Sequence, residues 1–357
     1  MMIEPTMKTI LPLDPRLLVH AQAKLDRLTK PRGSLGRLEE LAAQYVAISR
    51  DENPSCPKAR VLTLAADHGV VAEGVSAYPS SVTAQMVANF LNGGAAINVL
   101  ARQVGADVQV VDMGVAGNLD HLVGLVSRKI GHGTKNMVMG PAMSRDEAIR
   151  SVEIGIELVD QAVADGMGVV ATGEMGIGNT TSSAAITAVM TGQPISRITG
   201  RGTGVDDEGL NRKRRVIEQA LRINDPQAGD AFDVLSKVGG FEIGGLVGII
   251  LGGAACRIPV VLDGFIAGAA ALLAVTLAPT CREYLIASHQ SAEDGHGIVL
   301  EQLRLRPLLD LELRLGEGTG ACLAIGLLQS SLLLMTQMAT FDDAGVDERQ
   351  TTEPENV

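Results

Sequence analysis

Six short apolar runs, most of them leading into a polar residue and a glycine, constrain the fold of this chain more than any other feature. Residues 61–66 run into Asp67-His68-Gly69, 108–111 into Asp112-Met113-Gly114, and 137–139 into Gly140-Pro141. Residues 169–171 end in Thr172-Gly173-Glu174, 260–262 in Asp263-Gly264, and 284–286 lead to Ser288-His289. Helical patterns fill most of the intervals, for example 84–103 and 146–164. Strands apolar on both faces and alternating with helices predict an α/β chain with a doubly wound, Rossmann-like parallel sheet. Open sheets of this kind bind ligands at the C-terminal ends of their strands, where the polar residues and glycines recur. The site is therefore placed before any motif is read.

Ahead of the sheet, Leu17, Leu18, Ala21, Leu25 and Leu28 recur at helical spacing. A turn at Lys30-Pro31-Arg32-Gly33-Ser34 separates them from a second helix opened by Leu35, Leu38 and Leu41. With aromatic residues at 2% and no Trp, the core must be built from aliphatic side chains. A net charge of −11 argues against nucleic acid, which needs a basic face to release counterions. Cys56, Cys256, Cys281 and Cys322 form no CxxC pair, which fits a reducing, cytoplasmic setting without a disulfide framework. The first residues carry no basic region followed by an apolar core, so no signal peptide is expected. Two uncharged stretches, 264–281 and 318–341, are long enough to raise a membrane span. The first is interrupted by Gly268 and Pro279, and the second carries Gln329, Ser330, Ser331, Thr336 and Gln337. Both are expected to be buried or interface helices.

Three constellations carry chemistry. Thr172-Gly173-Glu174-Met175-Gly176-Ile177-Gly178-Asn179-Thr180-Thr181 follows a strand and opens the Ala-rich helix predicted over 182–190. Such a loop either turns several N–H groups and a helix N-terminus on an anion or is a plain glycine-rich turn. Its glycine spacing is not that of a dinucleotide fingerprint. Gly200-Arg201-Gly202-Thr203-Gly204, followed by Arg212-Lys213-Arg214-Arg215, reads either as a phosphate cradle or as a turn before a solvated basic helix face. In Arg314-Leu315-Gly316-Glu317-Gly318-Thr319-Gly320 a lone carboxylate opens a long uncharged helix. Stability alone rarely places a glutamate there, although capping that helix is the competing role. The histidines show no HxH or HExxH spacing, so no metal is expected.

Taken together, these segments resemble the nicotinate-nucleotide:dimethylbenzimidazole phosphoribosyltransferases. The resemblance runs in order through Lys30-Pro31-Arg32-Gly33-Ser34-Leu35-Gly36-Arg37-Leu38-Glu39, Ala66-Asp67-His68-Gly69-Val70, and the 173–181 loop. It continues through Asp233-Val234-Leu235-Ser236-Lys237-Val238-Gly239-Gly240-Phe241, Leu262-Asp263-Gly264-Phe265, and the 314–321 segment. It implies a homodimer and a small helical domain built from both chain ends. The expected divisions are a helical segment at 1–50, a large α/β domain at 51–315, a C-terminal helix at 316–341 and a disordered acidic tail at 342–357. Carried over by motif, Glu317 is the general base and Glu174 a supporting carboxylate. Gly176, Asn179, Thr180, Gly202, Thr203, Gly204, Lys213 and Ser291 contact the phosphoribosyl group. Tyr78, Pro79, Ser80, Met86, Met175 and Leu315 line the base pocket. Some relatives carry Ser in place of Tyr78 and Gln in place of Met86, which leaves the preferred base open.

The implied substrates are nicotinate mononucleotide and a benzimidazole, with no metal or redox cofactor. The leaving pyridinium needs no acid, unlike the two-carboxylate chemistry of glycosidases. The attacking base does need a group to take its proton. A nucleosidase on the same scaffold and a non-enzymatic nucleotide sensor are the competing functions.

Overall fold

A computed structural model describes residues 2–202 and 204–347, so Met1, Thr203 and residues 348–357 lie outside the described residues. The chain divides into two compact units, Met1–Pro12 with Lys58–Gly326 and Leu13–Pro57 with Leu327–Val357.

The larger unit is built on a six-stranded, all-parallel sheet. Its strands are β1 (Ala59–Ala66), β2 (Asp107–Gly114), β3 (Val126–Ser127), β4 (Val169–Met175), β5 (Val260–Leu262) and β6 (Leu285–Ala287). Their order is β3-β2-β1-β4-β5-β6. The doubly wound α/β sheet expected from the apolar runs is thus the architecture found. All eight residues of β1 are buried, as a strand covered on both faces must be. The order reverses direction between β1 and β4, which pair in register from Ala59↔Val169 to Ala65↔Met175. A crevice forms at such a switch point, outside the carboxyl ends of the two strands. Two helices with almost no polar face, Phe241–Ala255 and Phe265–Leu277, are buried for nearly their whole length. A short parallel pair, β7 (His289–Gln290) with β8 (Leu309–Asp310), lies beyond β6.

Two expectations about elements fail. Residues 137–139 form a turn, closed locally by Met139 N–H to the Asn136 carbonyl (2.9 Å), and the edge strand is Val126–Ser127 instead. The helix expected over 84–103 is two helices, Ser81–Leu91 and Ala96–Val104. They are parted at Asn92-Gly93-Gly94, where Gly93 takes φ +75°, a backbone setting glycine adopts freely.

In the smaller unit, Pro15–Asp26 and Arg37–Ser49 are helical. Glu39 is buried there, ion-paired with Lys30 Nζ (2.8 Å) and accepting from Leu35 N–H (3.0 Å), so this motif residue holds its own turn. The acidic tail begins with a short helix, Phe341–Ala344, whose N-cap is Thr340. Helix Thr319–Gln337 is the one described helix long and apolar enough to cross a membrane. Ala321, Cys322, Ala324 and Ile325 in its first turns are buried, and no clear span emerges.

Candidate active site

At the carboxyl end of β4 the chain passes through Glu174, Met175 and a tight loop into helix Asn179–Thr191. Gly178 precedes that helix at φ +95°, and Ile177 N–H donates to Thr83 Oγ1 (3.2 Å), tying the loop to helix Ser81–Leu91. A cleft opens here, lined by Glu174, Met175, Gly176, Ile177, Asn179, Thr180 and Gly202. Gly264, Phe265, Ile266, His289, Ser291, Glu293, Arg314, Leu315 and Gly316 complete its lining. Residues from all three sequence constellations therefore meet at one sheet edge.

Glu317 adjoins this cleft through Gly316, on a backbone of unusual shape. Gly316, Glu317 and Gly318 have φ +83°, +66° and +101°, three left-handed residues in a row. For a side chain such as glutamate this conformation costs about 1–2 kcal/mol. The sheet pins it there. Thr63 Oγ1 donates to the Glu317 carbonyl (3.2 Å), and a Cβ at Gly173 would collide with that same oxygen. The side chain is 5% exposed, and its Oε2 accepts from Ile97 N–H (3.2 Å) in the first turn of helix Ala96–Val104.

Glu317 does not cap the helix that follows it. That role falls to Asp263, at the end of β5, whose Oδ2 accepts from Gly318 N–H (3.2 Å) and Oδ1 from Ala321 N–H (3.0 Å). The carboxylate of Glu317 faces a different helix end, where the partial positive charge favours its ionised form. The break at Asn92-Gly93-Gly94 creates that helix end.

Three carboxyl groups, those of Glu174, Asp263 and Glu317, are buried close enough to interact electrostatically. Burial pushes Glu174 up to about 8, and the Asp263 charge adds to the shift while Asn179 Nδ2 (2.5 Å from Oε2) opposes it. Burial likewise raises Asp263 to about 7 against its backbone donors, and raises Glu317 against the Ile97 N–H. Glu174 is thus mostly protonated at neutral pH, which spares Glu317 a full neighbouring charge. A stability effect follows. An unfolded glutamate loses its proton near 4.5, whereas folded Glu174 keeps it to about 8. The folded state is therefore penalised progressively as pH climbs through that window. Glu174→Gln stays neutral and keeps an acceptor for Asn179. Its melting temperature relative to wild type should rise steadily from pH 5 to pH 8. A difference independent of pH would contradict the protonation assigned to Glu174.

Lys213 lies on helix Asp207–Asn224 and is 1% exposed, while Arg212, Arg214 and Arg215 on the same turn reach solvent or surface partners. Its Nζ donates to Thr180 Oγ1 (2.8 Å) and the Gly200 carbonyl (3.3 Å), both neutral oxygens. Burial lowers it to about 8, partly offset by the Glu293 carboxylate. Glu293 is itself raised by burial, and its Oε2 has no hydrogen bond. A buried ammonium hydrogen-bonded to neutral oxygens, beside a glycine loop and a helix N-terminus, is an arrangement suited to an anion.

Of the remaining sequence candidates, Gly204 precedes helix Asp207–Asn224 at φ +104°, and Thr203 lies outside the described residues. Tyr78 (52% exposed), Pro79 and Ser80 precede helix Ser81–Leu91, and Met86 lies within it. These four do not line the cleft, whereas Met175 and Leu315 do. Sequence reasoning did not assign Asp263 or Arg314 to the site. Asp263 stood in plain view as a polar residue at a strand end. A buried pair, His68 Nε2 to Glu242 Oε1 (2.6 Å), lies under the loop at Gly176. Among the described residues no group of three or more His, Cys, Asp or Glu has a metal-binding arrangement.

Comparison with known proteins places the chain among enzymes. A family model described as "Phosphoribosyltransferase" matches residues 10–346. The chain is 56% identical over 345 residues to the nicotinate-nucleotide–dimethylbenzimidazole phosphoribosyltransferase of Roseiflexus sp. (strain RS-1), covering 97% of this chain and 98% of that one. It is 54% identical over 346 residues to the protein of the same name from Geobacter metallireducens, covering 97% and 98%. The crystal structure of CobT from Thermus thermophilus superimposes with a TM-score of 0.90 at 48% identity, covering 94% of this chain and all of that one.

Proposed function

The chain belongs to the nicotinate-nucleotide–dimethylbenzimidazole phosphoribosyltransferase family, and from that membership we propose its reaction and the roles of its residues. It transfers the 5-phosphoribosyl group of nicotinate mononucleotide to 5,6-dimethylbenzimidazole or a related base, giving α-ribazole 5′-phosphate and nicotinate. The observation that carries this reading is the Glu317 carboxylate, buried on a left-handed backbone beside the cleft, with Oε2 engaged by Ile97.

In the proposed step the bare nitrogen of the benzimidazole attacks C1′ of the ribose. The C1′–N bond to the pyridinium breaks, its electrons return to the nicotinate ring, and no proton is needed there. Positive charge grows on the benzimidazole, and Glu317 takes its second-nitrogen proton, an effect typically worth about 10²–10⁴ in rate. Backside attack on the β-nucleotide yields the α-riboside. Lys213, Thr180, Gly176, Gly202, Gly204 and Ser291 hold the phosphoribosyl group. Glu174, kept neutral by burial and oriented by Asn179, supports the ribose side. We take the working form to be a cytoplasmic homodimer, which sedimentation at working concentration tests.

Incubation with nicotinate mononucleotide and a panel of benzimidazoles, purines and phenols tests the reaction itself, the acceptor being read from product masses. Release of ribose phosphate without any dependence on base would mark a hydrolase instead.

Tyr78 and Met86 are assigned to acceptor choice. Helix Ser81–Leu91, which carries Met86 one turn beyond Thr83, is bonded to the 175–178 loop through that threonine. Tyr78→Ser with Met86→Gln should change the ranking of competing bases by about 1–3 kcal/mol, the range of pocket-shape discrimination. An unchanged ranking in a mixed-base competition would place both residues outside the acceptor pocket.

A further inference from the structure

One buried side chain of the cleft is left without a task by the mechanism. His289 is 3% exposed, yet it lines the cleft beside Gly264 and Ser291. The backbone of Gly320 packs against its ring, where a Cβ would collide with Nδ1. At Gly264, which also lines the cleft, a Cβ would stand 3.5 Å from Cε1 and 3.6 Å from Nε2, so no side chain at that position shields this edge of the ring.

The neighbouring serine settles the position of the proton. Ser288 Oγ lies 2.9 Å from the Asp263 carbonyl oxygen, which can only accept. The single hydroxyl proton is therefore spent there. Ser288 Oγ is also 3.0 Å from His289 Nδ1, and with no proton left it must be the acceptor in that contact. Nδ1 thus carries the hydrogen and Nε2 is a bare lone pair. Burial lowers the His289 pKa and keeps the ring neutral. The adjacent ring of His296, 6.1 Å away, brings no charge, because burial depresses it to about 3 and its Nδ1 accepts from Ser291 N–H (2.8 Å).

An uncovered acceptor in a cleft calls for a ligand donor. In the substrates of the proposed reaction the phosphate and the nicotinate carboxylate offer only acceptors. The N–H of the benzimidazole is committed to Glu317. The hydroxyls of the ribose are the donors that remain. Resting on that reading of the reaction, we propose that His289 is a substrate-binding residue whose bare Nε2 accepts a hydrogen bond from a ribose hydroxyl of the phosphoribosyl donor.

The test compares kcat/KM for nicotinate mononucleotide and for its 2′-deoxy and 3′-deoxy analogues, in the wild type and in His289→Phe. Leaving a buried acceptor unpaired should make the wild type favour the intact nucleotide over one analogue by about 10-fold or more. In His289→Phe that preference should shrink to about threefold or less, because the analogue then loses nothing further. A merely structural role would slow all three nucleotides alike and leave the preference unchanged, which would overturn the proposal. If the phenylalanine variant does not fold, His289→Leu carries the same comparison. Failure of the wild type to turn over the intact nucleotide would overturn the reaction itself, and the two failures are told apart by that control.

Discussion

Glu317→Gln should lower turnover by about 10²-fold or more while nicotinate mononucleotide still binds and the melting temperature stays close to wild type. Glutamine keeps the shape and an amide oxygen for Ile97 N–H, now 3.2 Å from Oε2, but it neither takes a proton nor carries charge. The substitution therefore removes the proposed general base while the helix end it faces keeps an acceptor. The loss appears in kcat rather than in KM for the nucleotide, the signature of an interaction made in the transition state. A purely structural Glu317 predicts the reverse. Losing a charged cap costs about 1 kcal/mol of stability and should leave turnover near normal. Both quantities are measured on one purified variant. Near-normal turnover would remove Glu317 from the chemistry and direct attention to Glu174.

The second large effect is expected at Lys213. In Lys213→Met, KM for the nucleotide should rise by about 10- to 100-fold while KM for the base stays within about twofold of wild type. Methionine fills much of the space of the buried side chain but brings no charge to the proposed anion cradle beside Thr180 and Gly200. The pH dependence gives an independent signature. A bound phosphate stabilises the ammonium, so binding requires a protonated lysine, and the free enzyme loses that proton near pH 8. Nucleotide affinity in the wild type should accordingly fall as pH rises past about 8. In Lys213→Met that fall should vanish. An unchanged KM for the nucleotide, or an effect confined to the base, would refute the assignment.

The backbone at residues 316–318 explains why a glutamate at this place is informative. A chain selected only for stability would prefer glycine at a left-handed position, as it does on both sides of Glu317. Keeping Glu costs strain and burial of a carboxylate together. Helix capping offers no compensation for its own helix, since Asp263 already binds the N–H groups of Gly318 and Ala321.

Most of the sheet could be read from the chain because its signals are local. The apolar runs at 61–66, 108–111, 169–171 and 260–262 all lie within strands, and each ends at the edge that carries the cleft. The three glycine-rich constellations were also visible, because a glycine beside a strand end needs no tertiary knowledge to stand out. Residues 137–139 misled for the converse reason. Met137 and Val138 are buried in a turn that leaves Met139 82% exposed, and over three residues local periodicity does not separate a turn from a strand. The interruption at 92–94 was masked by an apolar spacing that continues in phase from one helix to the next.

What the amino-acid order alone determined, then, was a parallel α/β sheet, whose strand ends carry the cleft, and a family resemblance that the comparisons uphold. What only the tertiary structure decided was which polar groups answer one another across distant segments. Glu317 meets Ile97 across 220 positions of sequence, and Asp263 rather than Glu317 caps the helix beginning at Thr319. The proton on His289 is placed by a serine whose own partner lies 25 residues earlier. Charge, tautomer and cap depend on desolvation and on neighbours brought together by folding, and neither quantity is a property of a residue's place in the chain.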